Sequence, residues 1–170
     1  MRLAILSDIH DNLPNLKKVL DFCSANDIDA IIGCGDWGDT ETWTFIAESF
    51  LKPIYAVCGN VEVDHHVFAT FPRERFPHLQ LFDKTAEITL DNKKIGITHW
   101  PRFTRTLLPN NDIIFYGHTH KPWEETTGNC LLLNSGNIAN QLYKPTFAVY
   151  DTHNNQRSLI LLDHLPKQAS

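Results

Sequence analysis

At 170 residues, 42% hydrophobic and 21% charged, the chain has the size and texture of one globular domain with a sizeable core, expected over residues 1–165 with a frayed tail at 166–170. A net charge of −5 with histidine neutral excludes a broad nucleic-acid surface, and no window approaches the roughly 18 apolar residues of a membrane span. Four cysteines at 23, 34, 58 and 130 form no C-x-x-C pair and no signal-like segment opens the chain; this points to a reducing cytoplasm, with Cys34 and Cys58 as core residues.

Leu3 to Leu6 reads as a buried strand that runs into Ser7, Asp8, Ile9 and His10, and strand alternation sets Asp8 and His10 on one side. Asp11 and Asn12 offer N-caps for an amphipathic helix over 13–26, with Pro14 in its first turn. Ala30 to Cys34 is a second strand, ending in Gly35-Asp36. Asp39 or Thr40 caps a second helix that carries Trp43, Ile46, Ala47, Phe50 and Leu51 at helical spacing. Ile54 to Cys58 is a third strand, ending in Gly59-Asn60. This β-α-β-α-β order implies parallel strands with right-handed crossovers.

Residues 61 to 78 carry no strong period, though Val67, Phe68 and Phe71 suggest a short helix. Strands follow at 79–82, 85–90 and 93–98, the last two joined at Asp91-Asn92, and His99 comes next. A loop over 100–112, with a turn of helix near 104–108, leads to a strand at 113–116 and then Gly117-His118-Thr119-His120. Strands at 123–127 and 130–134 flank a Gly128-Asn129 turn, and two more are expected at 146–150 and 158–162.

Five strand ends thus deliver Asp8 and His10, Asp36, Asn60, His99, and His118 with His120. Ligands of open α/β sheets bind beyond the carboxyl ends of strands, so these termini can share one crevice. Seven N/O ligands exceed one tetrahedral ion and suit two divalent metals sharing a carboxylate. Two carboxylates against two divalent cations leave about two positive charges, which favours an anionic substrate. Imidazole-rich ligation suits manganese, iron, cobalt, nickel or zinc better than calcium or magnesium, with manganese the first choice. His65, His66, His78, His153 and His164 lack such placement and are expected to face solvent, with His65 and His66 close enough in sequence to Asn60 to reach the site.

The set SDIH, GD at 35–36, GN at 59–60, TH at 98–99 and GHTH at 117–120 resembles the calcineurin-like metallophosphoesterases, over essentially the full length. The small single-domain phosphodiesterase branch is the nearest match, through SDIHDNL. The resemblance implies an α/β fold, a four-layer αββα sandwich of two mixed β-sheets flanked by helices. It also implies that Asp8, His10 and His120 bind one metal, that Asn60, His99 and His118 bind the other, and that Asp36 bridges. The implied activity is phosphodiester hydrolysis by a metal-activated hydroxide on a small phosphate-ester substrate. Phosphomonoesterase or nucleotidase action uses the same clamp. A scaffold like the retromer subunit of this fold is the non-enzymatic alternative, although that branch has lost ligand histidines and this chain fills all seven positions.

Three positions depart from the family. Val61 stands where protein-phosphatase relatives carry a histidine after the Asn, so no general acid is assigned and good leaving groups are favoured. Trp100-Pro101 replaces the usual glycine after the ligand at 99, and NSGN at 134–137 replaces an NPGS-like turn. Aromatic residues in the 64–76 and 100–108 loops offer a surface for a homo-oligomer.

Overall fold

The first strand is apolar on both faces because it lies between two cores. In the computed structural model, which describes residues 1–166, β1 (Arg2–Leu6) points Leu3 and Ile5 into one apolar cluster and Ala4 and Leu6 into another. The chain continues through α1 (Leu13–Ala25), β2 (Ala30–Gly33), α2 (Thr40–Ser49) and β3 (Ile54–Val57). Short helices α3 (Asn60–Asp64) and α4 (Val67–Thr70) lead to β4 (Leu79–Phe82). Then come β5 (Thr85–Leu90), β6 (Lys93–Thr98), α5 (Thr104–Leu107), β7 (Ile113–Tyr116), β8 (Trp123–Thr127), β9 (Cys130–Asn134), β10 (Thr146–Asp151) and β11 (Arg157–Leu161).

Two mixed sheets result, ordered β11-β10-β1-β2-β3-β4 and β5-β6-β7-β9-β8. The βαβαβ unit pairs β1, β2 and β3 in parallel, as the element order requires, and β6, β7 and β9 are parallel in the second sheet. The inter-sheet core joins Leu3, Ile5, Ile32 and Val57 to Ile95, Ile97, Phe115 and Leu133. On the other face of the first sheet, Leu16, Val19, Leu20 and Cys23 of α1 and Trp43, Ile46 and Ala47 of α2 close the second core. The layer outside the second sheet is thin: α5 places Leu107 against Ile114, Tyr116 and Leu132. The architecture is therefore the expected α/β sandwich of two mixed sheets with flanking helices.

Local chemistry explains the helix boundaries. Asn12 caps α1 by accepting from the Asn15 N–H at 3.1 Å, and Asp39 caps α2 by accepting from Glu41 at 3.0 Å. The second helix stops at Ser49, short of the periodic pattern. Phe50 is extended, at φ −127° and ψ 103°, and Leu51 is 77% exposed instead of packed. Pro53 bars continuation, since it has no N–H for the Ser49 carbonyl, its ring would clash there, and it excludes helical backbone at Lys52. The α3 turn was not expected from sequence; it is too short for a period.

Other expectations change with packing. Among the five histidines expected at the surface, His65, His66, His153 and His164 are exposed, but His78 is half-buried, its Nε2 2.9 Å from the Ala47 carbonyl. In the 64–76 loop Phe71 and Phe76 are buried, stacked with centroids 5.6 Å apart, so they do not offer the surface expected of them. All four cysteines are buried and free. No helix among the described residues is long and apolar enough to cross a membrane. The expected frayed tail falls mainly on residues 167–170, outside the described residues.

Candidate metal centre

The parallel strands of the two sheets end at one rim, and there the backbone turns sharply. Asp8, His10, Asp36, His118 and His120 all have φ between 46° and 71°. Asp8 and His10 are thus not alternating strand positions, as the sequence suggested; β1 ends at Leu6 and both lie on a left-handed loop. Asp and His tolerate that region better than most residues, and such strain gathers at functional sites.

The side chains converge. His120 Nε2 lies 3.2 Å from Asp8 Oδ1 and 3.3 Å from His10 Nε2. Asp36 Oδ2 lies 3.8 Å from His10 Nε2 and 3.3 Å from His99 Nε2, between the two histidines. His99 Nε2 is also 3.1 Å from both Asn60 Oδ1 and His118 Nδ1. Two groups have ligand atoms all within 4.8 Å of one another: Asp8, His10 and His120, and Asp8, Asp36 and His99. Asp8 belongs to both, a sharing that the resemblance assigned to Asp36 alone.

Around His99 these contacts bring acceptors together. The carbonyl of Cys34, 2.8 Å from His99 Nδ1, fixes the proton there and leaves Nε2 as a lone pair. That lone pair faces the oxygens of Asp36 and Asn60. Asp8 Oδ1 is buried with no hydrogen-bond partner among the described residues, although its other oxygen accepts from Ser7 Oγ at 2.5 Å and from the His118 N–H at 3.1 Å. A bound cation relieves such a cluster, and the N/O donor set fits divalent metal ions.

Protonation follows the same logic. Burial alone would raise the Asp36 carboxyl, but the His99 ring beside it brings it below the usual range. Burial would lower His99, and its bond to Asp36 outweighs that and raises it. The Asp8 contact raises His120, whereas burial and the neighbouring His99 lower His118.

Behind this layer stand residues that spacing did not reveal. Glu62, fully buried at the third position of α3, accepts four backbone N–H bonds: Oε2 from Asp36 at 2.8 Å and Gly59 at 2.7 Å, Oε1 from Trp37 at 2.7 Å and Gly38 at 3.0 Å. It clamps the loop after β2 to the loop after β3. Burial, together with the charge of Asp36, pushes its carboxyl up against those bonds. The only sequence signal was an acid two residues after Asn60. Val61 donates its backbone N–H to Asp36 Oδ1 at 2.9 Å, so the position lacking an imidazole still orients the central carboxylate. Gly59 is required for this approach, because a Cβ there would lie 2.2 Å from Asp36 Oδ1.

The NSGN segment works from behind as well. Asn134 donates to the Gly117 carbonyl at 2.9 Å, and Asn137 donates to the His120 carbonyl at 3.2 Å, bracing the GHTH loop. The Ser135 hydroxyl is buried without a hydrogen-bond partner among the described residues.

Residues 1–155 match the family model of the calcineurin-like phosphoesterase superfamily domain. A phosphodiesterase of Methanocaldococcus jannaschii is 25% identical over 96% of this chain and all of its own length. The solved structure of an archaeal phosphodiesterase has a TM-score of 0.84 at 24% identity, covering 95% of this chain and 99% of that one. A Vps29 from Entamoeba histolytica, solved with zinc, shares the fold at a TM-score of 0.64 and 17% identity, covering 95% and 99%. With its family model matched from residue 1 to 155 and a cluster of carboxylates and imidazoles that could hold cations at its strand ends, the chain belongs to the calcineurin-like phosphoesterase superfamily, and it is a metal-dependent phosphoric ester hydrolase of the phosphodiesterase-like kind.

Proposed function

We propose that the protein is a binuclear phosphodiesterase in which Asp8, His10 and His120 hold one divalent ion, Asn60, His99 and His118 hold a second, and Asp36 lies between them. The observation that carries this reading is the Asp36 carboxylate, whose Oδ2 lies between His10 and His99 while Oδ1 is fixed by the Val61 amide. When bound, the pair of ions supplies Lewis-acid contacts to the phosphoryl oxygens and a water acidic enough to serve as nucleophile, the hydroxide route expected from the resemblance. Manganese is the first metal to test.

The protein's own residues do the rest. Cys34 holds the His99 ring with Nε2 presented, and Ser7 with the His118 amide holds Asp8. With Val61 beside Asn60, no imidazole is placed there to protonate the departing oxygen, so esters with stable leaving groups are the preferred substrates. The diester preference rests on the named activity of the Methanocaldococcus relative.

The test is turnover of bis(p-nitrophenyl) phosphate and p-nitrophenyl phosphate by protein reconstituted with manganese, nickel or zinc. Faster diester hydrolysis is expected. Asp36→Ala should lose more than the roughly 10–100-fold typical of groups that only support ligands. Faster monoester hydrolysis would put the monoesterase reading in its place. A second reading is the protein-binding scaffold that the resemblance left open, and the likeness in fold to Vps29 is compatible with it. Since that Vps29 was solved with zinc, metal binding alone does not separate the two; absence of turnover with every metal would favour the scaffold.

A further inference from the structure

A row of rings leads away from the candidate centre. His118 meets His99 edge to face, with centroids 4.9 Å apart at 82°. His99 meets Trp100 at 5.2 Å and 84°, and Trp100 meets Phe103 at 5.8 Å and 87°. The first two rings are proposed ligands; the last two are half-buried, unlike the fully buried Trp37 and Trp43 of the core. The exposed Arg102 guanidinium lies over both of these outer rings, 5.4 Å from the Trp100 centroid and 4.9 Å from that of Phe103.

Local sequence builds this wall. Trp100 follows His99 directly, so its backbone is anchored where β6 delivers that ring. Pro101 then starts a turn in which Phe103 N–H bonds the Trp100 carbonyl at 3.0 Å and Thr104 Oγ1 donates to the Pro101 carbonyl at 2.8 Å. That turn folds Phe103 back against Trp100. Two half-buried rings with a cation over both, beside the candidate centre, match an anionic ligand that carries a planar ring.

We propose that Trp100, Phe103 and Arg102 form a subsite that takes an aryl or nucleobase-like ester substituent of the phosphate bound at the centre. The proposal rests on the phosphoesterase reading above and adds the substrate class to it: phosphate esters of planar, π-rich groups. The wall begins one residue from a proposed ligand, so a substituent esterified to a bound phosphoryl group lies within reach of it. A glycine after His99 would supply no such surface.

Phenylphosphonate and methylphosphonate separate the two ideas, because they carry the same anionic head and a C–P bond that is not hydrolysed. Titrated calorimetrically into manganese-loaded protein, phenylphosphonate should bind about tenfold more tightly, the lower range of a base–aromatic stack. Trp100→Gly should collapse that ratio towards one, and Trp100→Phe should largely keep it. Equal binding of the two ligands by the unaltered protein would overturn the subsite while leaving the metal centre standing. Binding of neither would overturn the phosphoesterase reading and the subsite together. If Trp100→Gly fails to fold, the ratio in the unaltered protein still decides.

Discussion

Five of the seven candidate ligands hold left-handed backbone, and each is Asp or His. This conformation aims side chains from neighbouring loops at one point, which an extended strand end would not do. The cost, of order 1–3 kcal/mol per strained residue, has to be met by the surrounding hydrogen bonds. At the same scale, burial pushes the Cys23 and Cys58 thiols up to about 12 and raises Cys34 and Cys130 as well. A thiol with a raised pKa holds its proton, and the thiolate needed for attack is scarce up to that pKa. Native protein at pH 8 should therefore react slowly with a thiol reagent, whereas protein unfolded in urea should react rapidly at all four cysteines. Rapid labelling of the native state would contradict the burial.

The short helix α3 matters beyond its length because Glu62 ties two loops through four N–H donors. Glu62→Ala leaves those donors without their acceptor, and each buried unsatisfied group costs about 1–3 kcal/mol. Some will find water, so a loss of at least about 3 kcal/mol is expected from the urea midpoint. Glu62→Gln should also destabilise, since its amide NH₂ would face donors. A variant within 1 kcal/mol of the parent would show that the clamp is not needed. By contrast, the Arg157 and Glu124 pair joins the edge strands β11 and β8 in solvent, at 2.8 Å. Its loss in Glu124→Ala should cost under about 1 kcal/mol, measured the same way.

For the whole molecule, the two sheets share one rim because β1, β2 and β3 run parallel in one sheet and β6 and β7 in the other. The site is therefore assembled from segments that are brought together only by folding, from Asp8 to His120. Ligands of the native state alone stabilise it by mass action, about 2.7 kcal/mol at a hundredfold excess over Kd. Manganese should raise the melting temperature and a chelator should lower it, with Asp36→Ala abolishing most of the difference. An unchanged melting temperature across these conditions would argue against a native-state metal site.

The sequence by itself determined the order of the strands and longer helices, the parallel βαβαβ unit and the seven side chains that the fold brings together, because apolar periodicity and strand-end placement are local signals. It also determined the family, through motifs spread over the whole length. Tertiary structure decided what depends on distant neighbours: that Glu62 is a clamp, that Asn134 and Asn137 brace the GHTH loop, and that His78 is tucked against Ala47. It likewise decided that Asp8 stands within reach of both ligand groups and that Trp100 continues a row of rings. Most of these relations join segments separated in the chain, and no periodicity within one segment encodes them.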